Sequence, residues 1–434
     1  MRRVEQLVRC AKMALHVHSP PDQYLGHSFM KFIEINPQGV NQADIVVGIP
    51  SYNEAAFISL PTKQADIGLT KYYSHKSSVI INCDNTSADK TSDVFLNTDT
   101  ETPKICLSTE PGLVGKGYNL RNLFQKAVEL SAKAVIVLDA DLRNITPQWI
   151  RNLCEPLFDD YHFVAPLYVR HKYDGSFTNN LVYPMTRALY GRRVRQPIGG
   201  EMGFSGEMAK LYLNCEYWDE NVAQFGINLW MTTIAVKSPG AVIQSFMGRT
   251  KVHRVRDFSA DIARMFRQVV TTLFEMMCRF DSYWRQVKWS RPTAVFGFGV
   301  GEVELPPPVE IDTATLSSIM RQGLQKNWDL YKQFISEPNF NKLEEVVSLS
   351  DSDFELPTNL WARVLFDFAI AYRNNALPRD VLVESLIPLY YAKTLSFVLD
   401  TEAMNTQQVE ELVEDQCLQF EKAKPYLLDR WSTP

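Results

Sequence analysis

Three short β-branched runs restrict this chain most: IVVGIP (Ile45 to Pro50), SVIIN (Ser78 to Asn82) and AVIVLDAD (Ala134 to Asp141), each closed by polar or turn residues. Continuous apolar runs of this length read as strands buried on both faces, the pattern of parallel sheets. Between the last two, Leu120, Leu123, Phe124, Ala127 and Val128 recur at helical spacing. Alternation of strand, helix and strand predicts a parallel α/β sheet. In such sheets ligands lie beyond the carboxyl ends of the strands. Chemistry is therefore expected in the polar residues that close the three runs.

At 434 residues the chain exceeds one ordinary core. The first 43 residues, a polar and aromatic mixture around Pro20-Pro21, read as an extension. Strand signals run from 44 to about 256. Beyond that, Met265, Phe266, Val269, Val270, Leu273 and Phe274 trace an amphipathic helix, LPPPVE breaks the chain at 305–310, and 360–372 and 381–399 are helical again. The expected division is 1–43, an α/β domain over 44–256 and an α-helical region over 257–434.

The net charge of −5 argues against nucleic acid as a partner. Residues 331–434 carry 9 basic and 17 acidic side chains, leaving 36 and 33 for the rest, so an anionic ligand is expected in the first part. Seven scattered cysteines without a CxxC pair indicate neither a disulfide framework nor a zinc site and fit a reducing compartment. No uninterrupted run of about 18 apolar residues is present, so no membrane span is expected and the location expected is cytoplasmic. A homodimer is one assembly the sequence admits.

Asp139-Ala140-Asp141 is the strongest local signal. Two carboxylates at a strand end suit a ribose hydroxyl and a hard divalent cation, Mg²⁺ or Mn²⁺, bridging phosphates; a bare DxD also serves as a solvated turn. After the first run, Pro50, Tyr52 and Glu54 in GIPSYNE offer an apolar cover and an acceptor, and Asp84 closes the second run with a further carboxylate, together suited to a nucleoside. In GLVGKG (Gly112 to Gly117) the glycines allow close backbone approach, and Lys116 reaches an anion near a helix N-terminus. Lys116 is followed by Gly117, so this is not a Walker P-loop.

Taken in order, PSYNE, the acidic second strand end, GKG and DAD resemble the family 2-like glycosyltransferases with a GT-A fold. Arg195-Gln196-Pro197-Ile198-Gly199-Gly200-Glu201, then Phe225-Gly226-Ile227-Asn228 and Lys251-Val252-His253-Arg254, are similar to one branch, the retaining mannosylglycerate and glucosyl-3-phosphoglycerate synthases. The resemblance spans about residues 44–256. It implies a Rossmann-like, mostly parallel GT-A nucleotide-sugar domain followed by an α-helical C-terminal subdomain. It further implies a metal-dependent hexosyltransferase moving glucose or mannose from a GDP- or UDP-sugar to D-glycerate or 3-phosphoglycerate, which makes a compatible solute or its phosphate. Residue by residue it makes Asp141 and His253 the metal ligands and Asp139 a donor contact, with Gly200 and Glu201 beside the sugar. Lys116, Asp141 and Asn228 are the expected catalytic set. Arg249, Lys251, Arg254 and Arg256 are suited to diphosphate oxygens.

Two departures stand out. Asn228 occupies a position where the relatives carry an acid; an amide cannot take a proton, which is compatible with retention of configuration. The relatives' glycine-rich acceptor loop with its Arg is replaced by Asp174-Gly175-Ser176-Phe177-Thr178-Asn179-Asn180. Ser176, Thr178, Asn179 and Arg170 are the expected acceptor contacts, with His171 and Lys172 as further replacements for the missing charge. The rival readings are an inverting family 2 enzyme of cell-surface glycan synthesis and a non-catalytic nucleotide-sugar-binding protein.

Overall fold

The structure is a computed structural model that describes residues 32–252, 258–297, 306, 308–351 and 353–432. In chain order the strands are β1 (Phe32–Ile35), β2 (Ile45–Ser51), β3 (Ser78–Asp84), β4 (Lys104–Thr109), β5 (Ala134–Val137), β6 (Tyr161–Leu167), β7 (Met202–Ser205), β8 (Ala241–Phe246) and β9 (Ala294–Phe296). They form one sheet in the order β1-β4-β3-β2-β5-β7-β6-β8-β9. The pairs β4/β3, β3/β2, β2/β5, β6/β8 and β8/β9 are parallel; β1/β4, β5/β7 and β6/β7 are antiparallel. The three β-branched runs are the central strands, with every residue of β2 and β5 buried.

Successive residues of these strands point to opposite faces, and each face has its own helical cover. Val46, Val135 and Val137 pack with α3 (Lys116–Glu129), α6 (Gly206–Leu213) and α7 (Ile227–Lys237). Ile45, Val47 and Ile136 pack with α1 (Ser59–Tyr73) and α4 (Pro147–Cys154) on the other face. Two further helices in this part are α2 (Thr91–Asn97) and α5 (Tyr183–Tyr190), the latter preceded by a π-helical turn at Thr178–Val182.

The remainder is helical as expected: α8 (Phe258–Arg279), α9 (Asp281–Trp284), α10 (Thr313–Tyr331), α11 (Glu337–Val347), α12 (Thr358–Arg373), α13 (Arg379–Thr401) and α14 (Thr406–Trp431). Two strands fall outside the 44–256 segment in which strands were expected. β1 comes from residues assigned to the extension. β9 joins the sheet from beyond residue 256, and at three residues it is too short to carry a periodic signal. Phe32–Pro434 form one compact unit. Its largest apolar core joins Leu181, Met185 and Leu189 to Phe266 and Leu273 of α8 and to Trp361, Leu386, Phe420 and Trp431 of the last helices. Among the described residues only α13 has the length and composition of a membrane span, with 78% of its apolar window buried inside the protein.

Candidate active site

Topology brings the site together at one edge of the sheet. Because β2, β3 and β5 are parallel, their carboxyl ends align, with Ser51 opposite Asp84. β7 runs antiparallel to β5 with Met202 opposite Val137, so Gly200 and Glu201, which precede β7, meet Asp139, which follows β5. The strands β6 and β8 are parallel to each other and antiparallel to β7, and they deliver Tyr168 and Lys251 to that same edge.

The result is a compact charged cluster. Lys116 Nζ lies 2.5 Å from Asp139 Oδ1, and Lys251 Nζ lies 2.5 Å from Asp139 Oδ2 and 2.9 Å from Glu201 Oε1. Lys116 also donates to Gly200 O at 3.4 Å, and the Tyr168 hydroxyl donates to Glu201 Oε2. Burial works to raise the Asp139 carboxyl, but the two ammonium groups outweigh it and hold Asp139 well below the usual carboxylate range. At Glu201, which is fully buried, burial prevails over Lys251 and the carboxyl is raised. Lys251 is held protonated against its own burial by these two carboxylates. The Tyr168 phenol is pushed up by burial and by Glu201. Gly200 is required by contact: a Cβ there would stand 2.2 Å from Asp139 Oδ2 and 2.7 Å from Lys251 Nζ.

A polar network occupies the ends of β2 and β3. Asp84 accepts from Ser51 Oγ (2.8 Å), Ser87 Oγ (2.6 Å) and Ser87 N–H (2.7 Å). Asn119 of α3 donates to Ser51 O at 3.0 Å, and Asn85 joins Asn119 Oδ1 (2.8 Å) to Gly115 N–H (3.0 Å), which ties the strand ends to the GKG turn. The close approach at Gly117 is made by the chain itself. Gly117 N–H donates to Ala223 O at 2.9 Å, and a Cβ would stand 2.2 Å from Val222 O. This glycine therefore serves the packing of the 222–223 backbone on the helix start, where the sequence suggested room for an anion. Pro50 and Glu54 are buried, whereas Tyr52 is 45% exposed just past β2.

Among the residues expected at the acceptor, Ser176 Oγ donates to Tyr173 O (3.0 Å), and Thr178 and Asn179 are buried in the π-helical turn. Asn179 Oδ1 accepts from Arg195 Nη2 at 2.8 Å. Arg170 stacks on the Tyr168 ring, 5.4 Å from its centroid, and lies 3.9 Å from Asp174. Its Nε is buried without a hydrogen-bond partner among the described residues. Lys172 serves a structural purpose: its ammonium donates to Thr401 O (2.7 Å), Glu402 O (2.9 Å) and Met404 O (3.0 Å) at the end of α13. His171 is pushed down by burial and by Lys172. Asn228 sits in the first turn of α7, where Nδ2 donates to Ile198 O (3.4 Å), while Oδ1 is buried without a partner among the described residues.

Lys116, Asp139, Gly200 and Glu201 thus lie together. Asp141 is 3% exposed, a buried hard-oxygen donor two residues along. His253 lies outside the described residues. Val252, immediately before it, is pinned to the loop after Asp141: Arg143 N–H donates to Val252 O (2.9 Å) and Val252 N–H to Asn144 Oδ1 (3.0 Å). Among the described residues no three His, Cys, Asp or Glu side chains gather as a metal site. Tyr168 escaped the sequence reading, although it closes the apolar run FVAPL just as Asp139 closes its own.

No protein-family model and no curated protein matches the chain. Among solved structures, glucosyl-3-phosphoglycerate synthase from Mycobacterium tuberculosis, in complex with Mn²⁺, UDP and glucosyl-3-phosphoglycerate, is 21% identical with a TM-score of 0.41, over 54% of this chain and 79% of that one. The same enzyme with Mg²⁺ and UDP is 22% identical with a TM-score of 0.41, over 54% and 79%. A mycobacterial protein is 22% identical with a TM-score of 0.41, over 55% and 74%.

Proposed function

We propose that this chain is a metal-dependent, retaining glycosyltransferase that moves glucose or mannose from a UDP- or GDP-sugar onto D-glycerate or 3-phosphoglycerate. The observation that carries the reading is the convergence of Lys116 and Lys251 on Asp139 at the strand ends, closed over by Gly200. Two ammonium groups held within a buried carboxylate cluster are preorganised for negative charge that grows during reaction, and preorganisation of this kind is the largest electrostatic contribution an active site makes. In the transfer the acceptor hydroxyl oxygen bonds to the sugar C1, the bond from C1 to the diphosphate oxygen breaks, and the acceptor proton passes to the departing diphosphate. Lys116 and Lys251 stabilise that diphosphate.

Asp141, a buried carboxylate, is a hard donor of the kind Mg²⁺ and Mn²⁺ take, and His253 is its proposed companion. A bound cation would supply further neutralisation of the leaving group. The nucleoside lies against Pro50, Tyr52, Glu54 and Asp84. The sugar lies against Asp139, Gly200 and Glu201, with Asn228 Oδ1 open to a hydroxyl. The acceptor meets Ser176, Thr178, Asn179 and Arg170. In this reading 44–256 form the donor domain, 257–434 the helical region that completes it, and the enzyme is cytoplasmic.

The test crosses UDP- and GDP-linked glucose and mannose with D-glycerate and 3-phosphoglycerate in the presence of Mn²⁺. Proton NMR of the fresh product reads the anomeric coupling, with an α-linked product expected. A β-linked product sinks retention, and absence of transfer in every pairing sinks the activity.

A further inference from the structure

The expected acceptor contacts are buttressed by the last helix. Near the start of α14, Glu410 receives Arg195 as a two-pronged pair, Nε to Oε2 and Nη2 to Oε1, both at 2.8 Å. The same Nη2 donates to Asn179 Oδ1 at 2.8 Å. Arg195 opens the segment that runs through Gln196 to Gly200 and Glu201, and its own N–H donates to Gln244 of β8 at 2.6 Å. Glu410 is itself set in place: a reciprocal capping box between Asn405 and Gln408 fixes the start of α14.

Arg195 is 14% exposed and Glu410 53%, so solvent screens the pair and its share of stability is small. Its geometric effect persists, because a carboxylate gripping the planar guanidinium on two nitrogens fixes the plane of that group. A fixed guanidinium fixes the Asn179 amide in turn. With Oδ1 held by Arg195, the Nδ2 end is the one left to donate to an acceptor carboxylate or hydroxyl.

We propose that Glu410 is a positioning residue for acceptor binding, acting through Arg195 on the orientation of Asn179. This rests on the acceptor reading of the 170–180 segment given above. Initial rates of the full chain and of its Glu410→Ala and Glu410→Gln variants, with donor and acceptor varied separately, test it. Glu410→Ala is expected to raise the acceptor KM about tenfold with donor KM and kcat within about twofold of wild type, the split left by losing an interaction with one substrate alone. Glu410→Gln, which keeps the shape and one hydrogen bond, is expected to fall between the two. Slow hydrolysis of the donor, which uses water as acceptor, is expected to be unchanged in both.

Equal shifts in donor and acceptor KM, or none, overturn the proposal while leaving the glycosyltransferase reading intact. A fall of more than about 10 °C in the unfolding midpoint of both variants makes Glu410 a stability residue and also overturns it. A wild-type chain that transfers sugar to neither acceptor removes the functional reading, and the role of Glu410 with it.

Discussion

Lys251 decides whether Asp139 and Glu201 can share one site. Replacing it with Met leaves the two carboxylates beside each other with Lys116 on one side only. The expected result is a loss of at least 100-fold in kcat/KM, about 2.7 kcal/mol of transition-state stabilisation. Steady-state rates check it, and a loss under tenfold would remove Lys251 from the leaving-group site. Asp141→Ala and His253→Ala are each expected to abolish metal-dependent turnover with the fold intact, read as initial rates across a Mn²⁺ titration; near-wild-type rates at ordinary metal concentration remove that residue from the site. For the acceptor, free D-glycerate is expected to be used at least as well as 3-phosphoglycerate. Lys172 is committed to the end of α13 and His171 is pushed toward its neutral form, which leaves Arg170 alone to meet a phosphate. Comparing kcat/KM for the two acceptors checks this, and a tenfold preference for the phosphorylated one would show Arg170 supplying the charge. At this scale Lys116, Asp139 and Glu201 were legible because each stands at a strand or helix end within a recognisable order of motifs. Tyr168 was not, and neither was the ion-pair partnership of Lys251, which lies 112 residues from Asp139 in the chain.

Among the elements, α14 shows how a helix near the end of the chain is bound to the sheet-bearing part. Glu410, Glu414, Glu421 and Lys424 recur at spacings of four, seven and three and so share one face. That face meets Arg195, Arg187 and the end of α5. Arg187, almost fully buried, pairs with Glu414 at 2.5 Å and Glu421 at 2.7 Å. Lys424 donates to Ala188 O (2.8 Å), Trp284 O (2.7 Å) and Val287 O (2.7 Å). Lys424→Met strands three inward-facing carbonyls and is expected to destabilise the protein by about 2–4 kcal/mol, measured as the shift in urea unfolding. Burial lowers the Lys424 ammonium to about 8, against the pull of Glu421. Between pH 8 and its ordinary value of 10.5 the folded state therefore binds fewer protons at this group than the unfolded state, and its contribution to stability rises with pH across that window. The stability difference between wild type and Lys424→Met is expected to widen from pH 8 to 10.5; a difference that stays flat or narrows refutes this. Central strands and long helices were readable because burial on both faces and 3.6-residue periodicity leave a pattern. β9 has only three residues, and the MGFS of β7 holds no β-branched residue to mark it as a strand, although β7 places Glu201.

For the whole molecule, one apolar core spans the division at residue 256. Leu181, Met185 and Leu189 bury their side chains with α8 and the helices that follow, so residues 44–256 alone would expose that face to water. The isolated segment is expected to lack fixed tertiary structure, and its near-UV circular dichroism checks this; a native-like spectrum would show an autonomous domain. The acidic excess of residues 331–434, read from the sequence as a sign that anions bind elsewhere, is used in part against arginines of the sheet-bearing region. Charge counting showed the imbalance but not its partners, because pairing across more than 200 residues is decided by the fold. That separation also has a consequence in time. Arg195 and Glu410 lie 215 residues apart, and at about 5–20 residues per second of synthesis the first waits roughly 10–40 s on the ribosome for the second. During that interval Arg195 lacks its carboxylate partner, and Leu181, Met185 and Leu189 lack the cover that Phe420 and Trp431 bring. A growing chain therefore carries exposed apolar surface until the last helix emerges, the state in which chains are most prone to aggregate.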